Sequence, residues 1–249
     1  MRLRTVQSQA FKTIFDVLKE ILNDFNVSFT KEGIHILSMD SVRISIVEVN
    51  LMASEFEEYS CDEDVTIGVN ASQIFKLLKP VAQNDILNLS VGESHTLEIL
   101  IEKADSKSVT SWNYKILDLN NLNNYTIPDL TPVAVWSANS QELQKNCRDL
   151  GHVGTELVVT RKPGSIEFKV SNSDYAPGGN THYIDDDRYD GPSISDTFIL
   201  KYVNLFLKAQ AMSATCSVYH FGEGMPLLIE YYVASLGKLK FYLAPKIQD

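Results

Sequence analysis

No stretch of the sequence approaches the roughly 18 consecutive apolar residues that a membrane helix needs. The opening MRLRTVQSQ has no apolar segment of a secretory signal, so secretion is not expected. Cysteine is scarce: Cys61, Cys147 and Cys216 are odd in number, far apart and without a C-x-x-C. That excludes a disulfide framework, offers no zinc-ligand spacing and fits a reducing compartment. The N-x-S/T sequons at Asn26, Asn70, Asn88 and Asn124 are then coincidental. A phosphate loop, a G-x-G-x-x-G and an H-E-x-x-H are all missing. The histidines (His35, His95, His152, His182 and His220) form no legible triad or ligand set. Cys147 and His152 stand five apart at a helix ending and do not aim at each other. The run Asp185-Asp186-Asp187 lacks the ligand spacing of a calcium loop and reads as a solvated loop. No enzyme activity, metal or cofactor is expected. A basic excess is missing too: 22 Lys and Arg stand against 32 Asp and Glu, for a net charge of −10. Such a chain binds nucleic acid only if its basic charge is segregated.

What is present is a well-populated core. The 249 residues, 44% apolar and 22% charged, suit one large domain or two of about 120 residues. Nine segments read as strands: 34–39, 42–51, 65–69, 86–91, 97–102, 156–161, 166–171, 227–233 and 239–243. Four carry a helical period, at 8–24, 71–79, 140–150 and 201–211. Ser72 and Ser140 are the expected N-caps of the middle two, and Pro80 closes the second helix. Two helices and a set of strands precede a break, DLNNLNNYTIPDLTP at 118–132, and two helices with similar strands follow it. That order suggests an internal duplication. An aperiodic connection of this length is either functional or a linker, and Leu119, Leu122, Tyr125 and Ile127 are unusual for a purely solvated one.

Each predicted helix holds two basic residues: Lys12 and Lys19, Lys76 and Lys79, Lys145 and Arg148, Lys201 and Lys208. Spacings of seven and three place each pair on one side of its helix. With five acidic residues on the same helices, the rest of the chain holds 14 basic against 27 acidic residues. The charge balance thus changes sign between helices and remainder. One amphipathic helix keeps charge on its wet face with no function attached. Four such helices in an acidic chain point to a common polyanion, and lysines reaching phosphate would hold nucleic acid without reading sequence.

These residues also carry a family likeness. The chain resembles the eukaryotic-type DNA sliding clamp, the proliferating cell nuclear antigen family, through VQSQAFKTIFDVLKEILND, GIHILSMDSVRISIVEV, FEEYSCDEDVTIGVN, KLLK, LDLN…IP, CRDLGHVG and GKLKFYLAPKIQD. The resemblance implies an α+β fold of two similar clamp domains, residues 1–117 and 134–249, joined by a connecting loop at 118–133. It implies four inner helices backed by outer antiparallel sheets, and a homotrimeric ring threaded by double-stranded DNA without sequence preference. The eight basic residues match the DNA-facing set. Strands 108–115 and one within 173–193 would form the subunit interface. Expected partners are a DNA polymerase, a clamp loader and other replication and repair proteins with clamp-docking peptides, and no membrane. The setting implied is the nucleus, or a viral replication site if the gene is that of a large DNA virus.

The resemblance further implies an apolar docking groove. Its matching residues are Met39, Arg43, Ile44, Ile46, Tyr125, Ile127, Pro128, Met225, Pro226, Tyr242, Leu243, Ala244 and Pro245. Pro245 stops the final strand and would leave backbone groups for an extended peptide. Arg43 stands where well-known members have histidine, Tyr125 where they have leucine, and Thr13 replaces a lysine. Two alternatives stay open: one subunit of a heterotrimeric clamp of checkpoint or archaeal type, and a solitary β-rich enzyme or metal protein.

Overall fold

The computed structural model describes residues 1–92, 95–119, 126–171, 178–184 and 189–247. The chain divides into two compact units, one of residues 1–126 with 232–239 and one of 127–231 with 240–249.

The first unit runs β1 (Arg2–Thr5), α1 (Ser8–Leu18), β2 (Asp24–Phe29), β3 (Gly33–Met39), β4 (Ser45–Met52), β5 (Glu58–Ser60), β6 (Val65–Asn70), α2 (Ala71–Leu78), β7 (Ile86–Val91), β8 (Thr96–Glu102) and β9 (Val109–Lys115). Its strands pair antiparallel in the orders β5-β1-β7-β8-β9 and β4-β3-β2-β6. Alternation drives this: Phe25, Val27 and Phe29 are buried along β2, and Val47, Val49 and Leu51 along β4. The helices lay Phe11, Ile14, Phe15, Ile74 and Leu78 onto that apolar face. Phe15 stacks on Phe25, their centroids 6.3 Å apart. A Cβ on Gly68 would sit 2.4 Å from the Leu117 carbonyl and 2.7 Å from the Leu119 side chain, so only glycine admits this crossing. Leu119 therefore packs on β6, which explains one apolar residue of the connection.

The second unit runs β10 (Ala134–Asn139), α3 (Ser140–Leu150), β11 (Glu156–Lys162), β12 (Ser165–Val170), β13 (Gly179–Ile184), β14 (Ile194–Ile199), α4 (Leu200–Phe206), a 3-10 segment (Leu207–Ala211), β15 (Thr215–His220), β16 (Leu227–Val233) and β17 (Gly237–Leu243). Strand order is β13-β12-β11-β14 and β10-β15-β16-β17. With β5 set aside, each unit repeats one plan: the strand before its first helix heads one set, and the strand before its second helix ends the other. The duplication lies in the pairing, not in the sequence. Phe206 stacks on Phe241 at 4.7 Å, and Trp136 meets Tyr183 at 4.8 Å, filling this core.

Helix α3 spans the predicted residues, while the others depart at their ends. The N-caps are Asn70 and Asn139, not Ser72 and Ser140. Each asparagine closes a strand in extended backbone, and its side chain accepts from the N–H three residues on, Gln73 and Glu142, at 3.0 Å. α1 stops at Leu18 rather than 24, because the period-two run from Asp24 pairs with β6. The last helix tightens to 3-10 after Phe206.

One buried titratable group makes stability depend on pH. His220, on β15, is buried, and burial together with the Arg161 guanidinium pulls its imidazole down to about 4. An unfolded histidine titrates near 6.5, so between these values the unfolded chain takes up a proton that the folded one refuses. Stability is complete above about pH 6.5 and falls as the pH drops towards 4. About 2 kcal/mol should be lost between pH 7 and pH 5. Urea melts of wild type and His220→Leu at the two pH values check it; equal losses in both would assign the dependence elsewhere.

Candidate nucleic-acid interface and peptide-docking site

The eight basic side chains are not equivalent. Lys76 and Lys79, on and just past α2, are exposed, as are Lys145 and Arg148 on α3 and Lys201 and Lys208 on the last helical segment. The last pair stays on one side despite the 3-10 turn. Five α steps and two 3-10 steps sum to two turns plus roughly 20°. Neither α2 nor the segment Leu200–Ala211 contains an acidic residue. Arg148 has a carboxylate beside it, its Nε 3.9 Å from Asp149.

Lys12 and Lys19 are half-buried and engaged within the first unit. Lys12 Nζ donates to the Val81 carbonyl at 2.8 Å. Lys19 pairs with Asp16, lies 3.4 Å from Glu20, and places its ammonium 4.1 Å from the centre of the Phe75 ring. Burial alone would lower the Lys19 pKa, but the Asp16 and Glu20 carboxylates outweigh it and hold it above its ordinary value.

The matching docking residues divide between the units. In the first, Met39 ends β3 and pairs across to Ile46 on β4. The turn between is built by buried Asp40, whose carboxylate accepts from the N–H groups of Val42, Ile44 and Ser45 at 3.3, 2.9 and 2.7 Å. Arg43 is exposed at its tip in the left-handed region, φ 63°.

In the second unit a surface cavity of about 260 Å³ lies between segment 127–132 and the β15–β17 face. Of the docking residues expected from the resemblance, Ile127, Pro128 and Tyr242 line it. Leu130, Tyr219, Phe221, Leu228 and Lys240 line it as well, and the sequence reading missed them. Their signal was the strand period, since Tyr219 faces Leu228 and Lys240 shares a face with Tyr242. Tyr219 OH donates to buried Glu230 at 3.0 Å, and with Asp129, Glu230 and Lys240 in its lining the cavity is mixed, apolar and polar.

Leu243 does not line this cavity. At 1% exposure it points to the opposite face from Tyr242 and belongs to the core. Met225, Pro226, Ala244 and Pro245 also lie outside the lining. The tail is nonetheless tethered: Lys246 N–H donates to the Thr197 carbonyl at 2.7 Å, and its ammonium pairs with Glu156. Tyr125 lies outside the described residues, as does Asp185-Asp186-Asp187. Among the described residues no cluster of His, Cys, Asp and Glu is arranged to hold a metal.

Among the described residues β5, β6, β9, β10, β13 and β14 each end a sheet, and two of these, β9 in the first unit and β13 in the second, stand out. Both present apolar side chains, Val109 at 57% exposure and Ile184 at 82%, with Trp112 one-third exposed. Exposed apolar residues on open strand edges are templates for pairing with another chain.

Comparison with known proteins fits this geometry. Residues 1–125 match the model of the proliferating cell nuclear antigen N-terminal domain, and residues 126–246 that of its C-terminal domain. A protein of Paramecium bursaria Chlorella virus 1 described as "Probable DNA polymerase sliding clamp 1" is 32% identical over 255 aligned positions, covering 98% of this chain and 95% of that protein. The repeated two-unit plan and both domain matches establish that the chain belongs to the proliferating cell nuclear antigen family.

Proposed function

We propose that this protein is a DNA sliding clamp that tethers a DNA polymerase and other replication and repair proteins to duplex DNA without catalysing a reaction itself. The observation that carries this reading is the segregation of charge: exposed basic residues lie on the helices of an otherwise acidic chain of the clamp family. Such contacts are weak, salt-sensitive and blind to sequence. A closed ring makes them durable, because it leaves DNA only by opening or by sliding off an end. Residues 1–117 and 134–249 form the repeated clamp domains. Three copies join β9 of one to β13 of the next, closing a cyclic homotrimer. The connection 118–133, with the cavity beside Ile127, Pro128 and Tyr242, receives docking peptides of the polymerase, the clamp loader and other partners. Its place of action is the site of DNA replication, the nucleus or a viral replication site.

Topology tests the reading directly. Protein threaded onto linear duplex should be trapped when both ends are blocked, survive a high-salt wash, and be released by one restriction cut between the blocks. Loss in the wash, or retention after the cut, would replace threading by ordinary binding.

A further inference from the structure

Lys12 on α1 and Lys19 just past its end both reach towards the α2 segment, and neither is exposed as the other six are. Beyond α2 the chain turns through residues 79–85, and that turn is held from several sides. Lys12 Nζ donates to the Val81 carbonyl at 2.8 Å. Ser8 Oγ donates to the Asp85 carbonyl at 2.7 Å. The buried Asp85 carboxylate accepts from Lys103 Nζ and Ala82 N–H at 2.8 Å and from Ala104 N–H at 3.1 Å. A cation beside carbonyls just past a helix C-terminus also suits the helix dipole. Seven residues on, Lys19 covers the Phe75 ring of α2, with Asp16 and Glu20 matching its charge. Lys12 on α1 and Lys19 just past it share their segment with the anions Asp16 and Glu20; Lys76 and Lys79, on and just past α2, share theirs with none.

We infer that Lys12 and Lys19 are positioning residues that clamp α2, and that the cation pair the first unit presents to phosphate is Lys76 and Lys79. Resting on the clamp reading, this narrows it: two of the eight basic residues act inside the protein. A lysine spent on a carbonyl and an aromatic face releases no counterion from DNA, whereas each exposed lysine that meets a phosphate does.

The measurement is the salt dependence of duplex affinity for the full-length protein, together with its melting temperature. Wild type is compared with Lys12→Gln/Lys19→Gln, Lys76→Gln/Lys79→Gln and Lys201→Gln/Lys208→Gln. Losing two phosphate contacts flattens the salt slope by about 1.8, so the affinity drop between 50 and 200 mM salt shrinks about tenfold. That change is expected for the second and third variants, with melting unmoved. The first variant should keep the wild-type slope and melt about 2–4 °C lower. A flattened slope with unchanged melting in that variant would overturn the positioning role. Unchanged slopes in all three would instead overturn the clamp reading itself. Should the double variant fold poorly, Lys12→Gln alone, read the same way, decides the outcome.

Discussion

Replacing Lys76, Lys79, Arg148 and Lys208 together by glutamate should abolish stimulation of a DNA polymerase while the chain stays folded. All four side chains are exposed, so they contribute little to the core, and surface changes of this kind usually move stability by less than about 0.5 kcal/mol each. Their effect on DNA is of another size. Each reversal removes an attraction and adds a repulsion next to a polyanion. Four per chain remove one complete pair, Lys76 and Lys79, and one member of each of two others, and affinity at low salt should fall about a hundredfold or more. Primer extension on a long template reads the loss, and circular dichroism with a melting curve reads the fold. Unchanged stimulation would mean that the helices do not face DNA and that their lysines are merely solvated. Arg148 is the informative member: Asp149 lies 3.9 Å from it, so its share should be smaller than that of Lys76 or Lys79.

Residue chemistry made much of this legible, and the reasons it failed elsewhere are specific. α3 was readable to the residue, because Leu143, Cys147 and Leu150 keep a helical period between a cap and Gly151. Strands β1, β2, β5, β10, β14 and β15 escaped notice. The outward positions of β2, β10, β14 and β15 are mostly Asn, Ser, Thr and Asp, residues of turns as much as of solvated strand faces. The caps were misassigned for a related reason: Asn70 and Asn139 end strands, and a serine inside the helix carries the same signal in one dimension. Basic residues on helices were countable from sequence, but not which of them the protein uses itself. Lys12 is occupied by a carbonyl 69 residues away, which no local pattern encodes. The docking tail shows the opposite limit. Leu243 stands inside the motif YLAPKI, yet strand alternation buries it, so Leu243→Ala would report on folding before docking. Tyr242, one residue away on the open face, is the position at which to test peptide binding.

Breaking the open edges of β9 and β13 should have a larger effect than any change at the cavity, because on the proposed assembly it removes the ring on which retention would depend. The chain has a mass of 28.0 kDa, and a closed trimer would weigh about 84 kDa in dilute solution. Val109 and Ile184 lie on β9 and β13, two of the strands that end a sheet among the described residues. Both also belong to the outward face of their strands, since the inward positions are those opposite Ile101 and Ile166. Lysine at both positions would set like charges against each other wherever β9 of one chain meets β13 of the next, and edge lysines are how single chains prevent such pairing. Neither side chain is part of a core, so Val109→Lys/Ile184→Lys should fold and melt as wild type does. Its native mass should fall to that of one chain, and trapping on end-blocked DNA should vanish although weak, salt-sensitive affinity remains. A variant that stays trimeric would place the interface on other strands. A wild-type chain that is already a monomer would point to different subunits on those edges, the heterotrimeric arrangement, and mixing with candidate partner chains would then restore the trimer mass. The two apolar edges have opposite costs in the two states: exposed on a lone chain they invite aggregation, and joined to each other in a ring they are covered. A trimer closed on these edges would protect the fold and hold the DNA by the same three contacts.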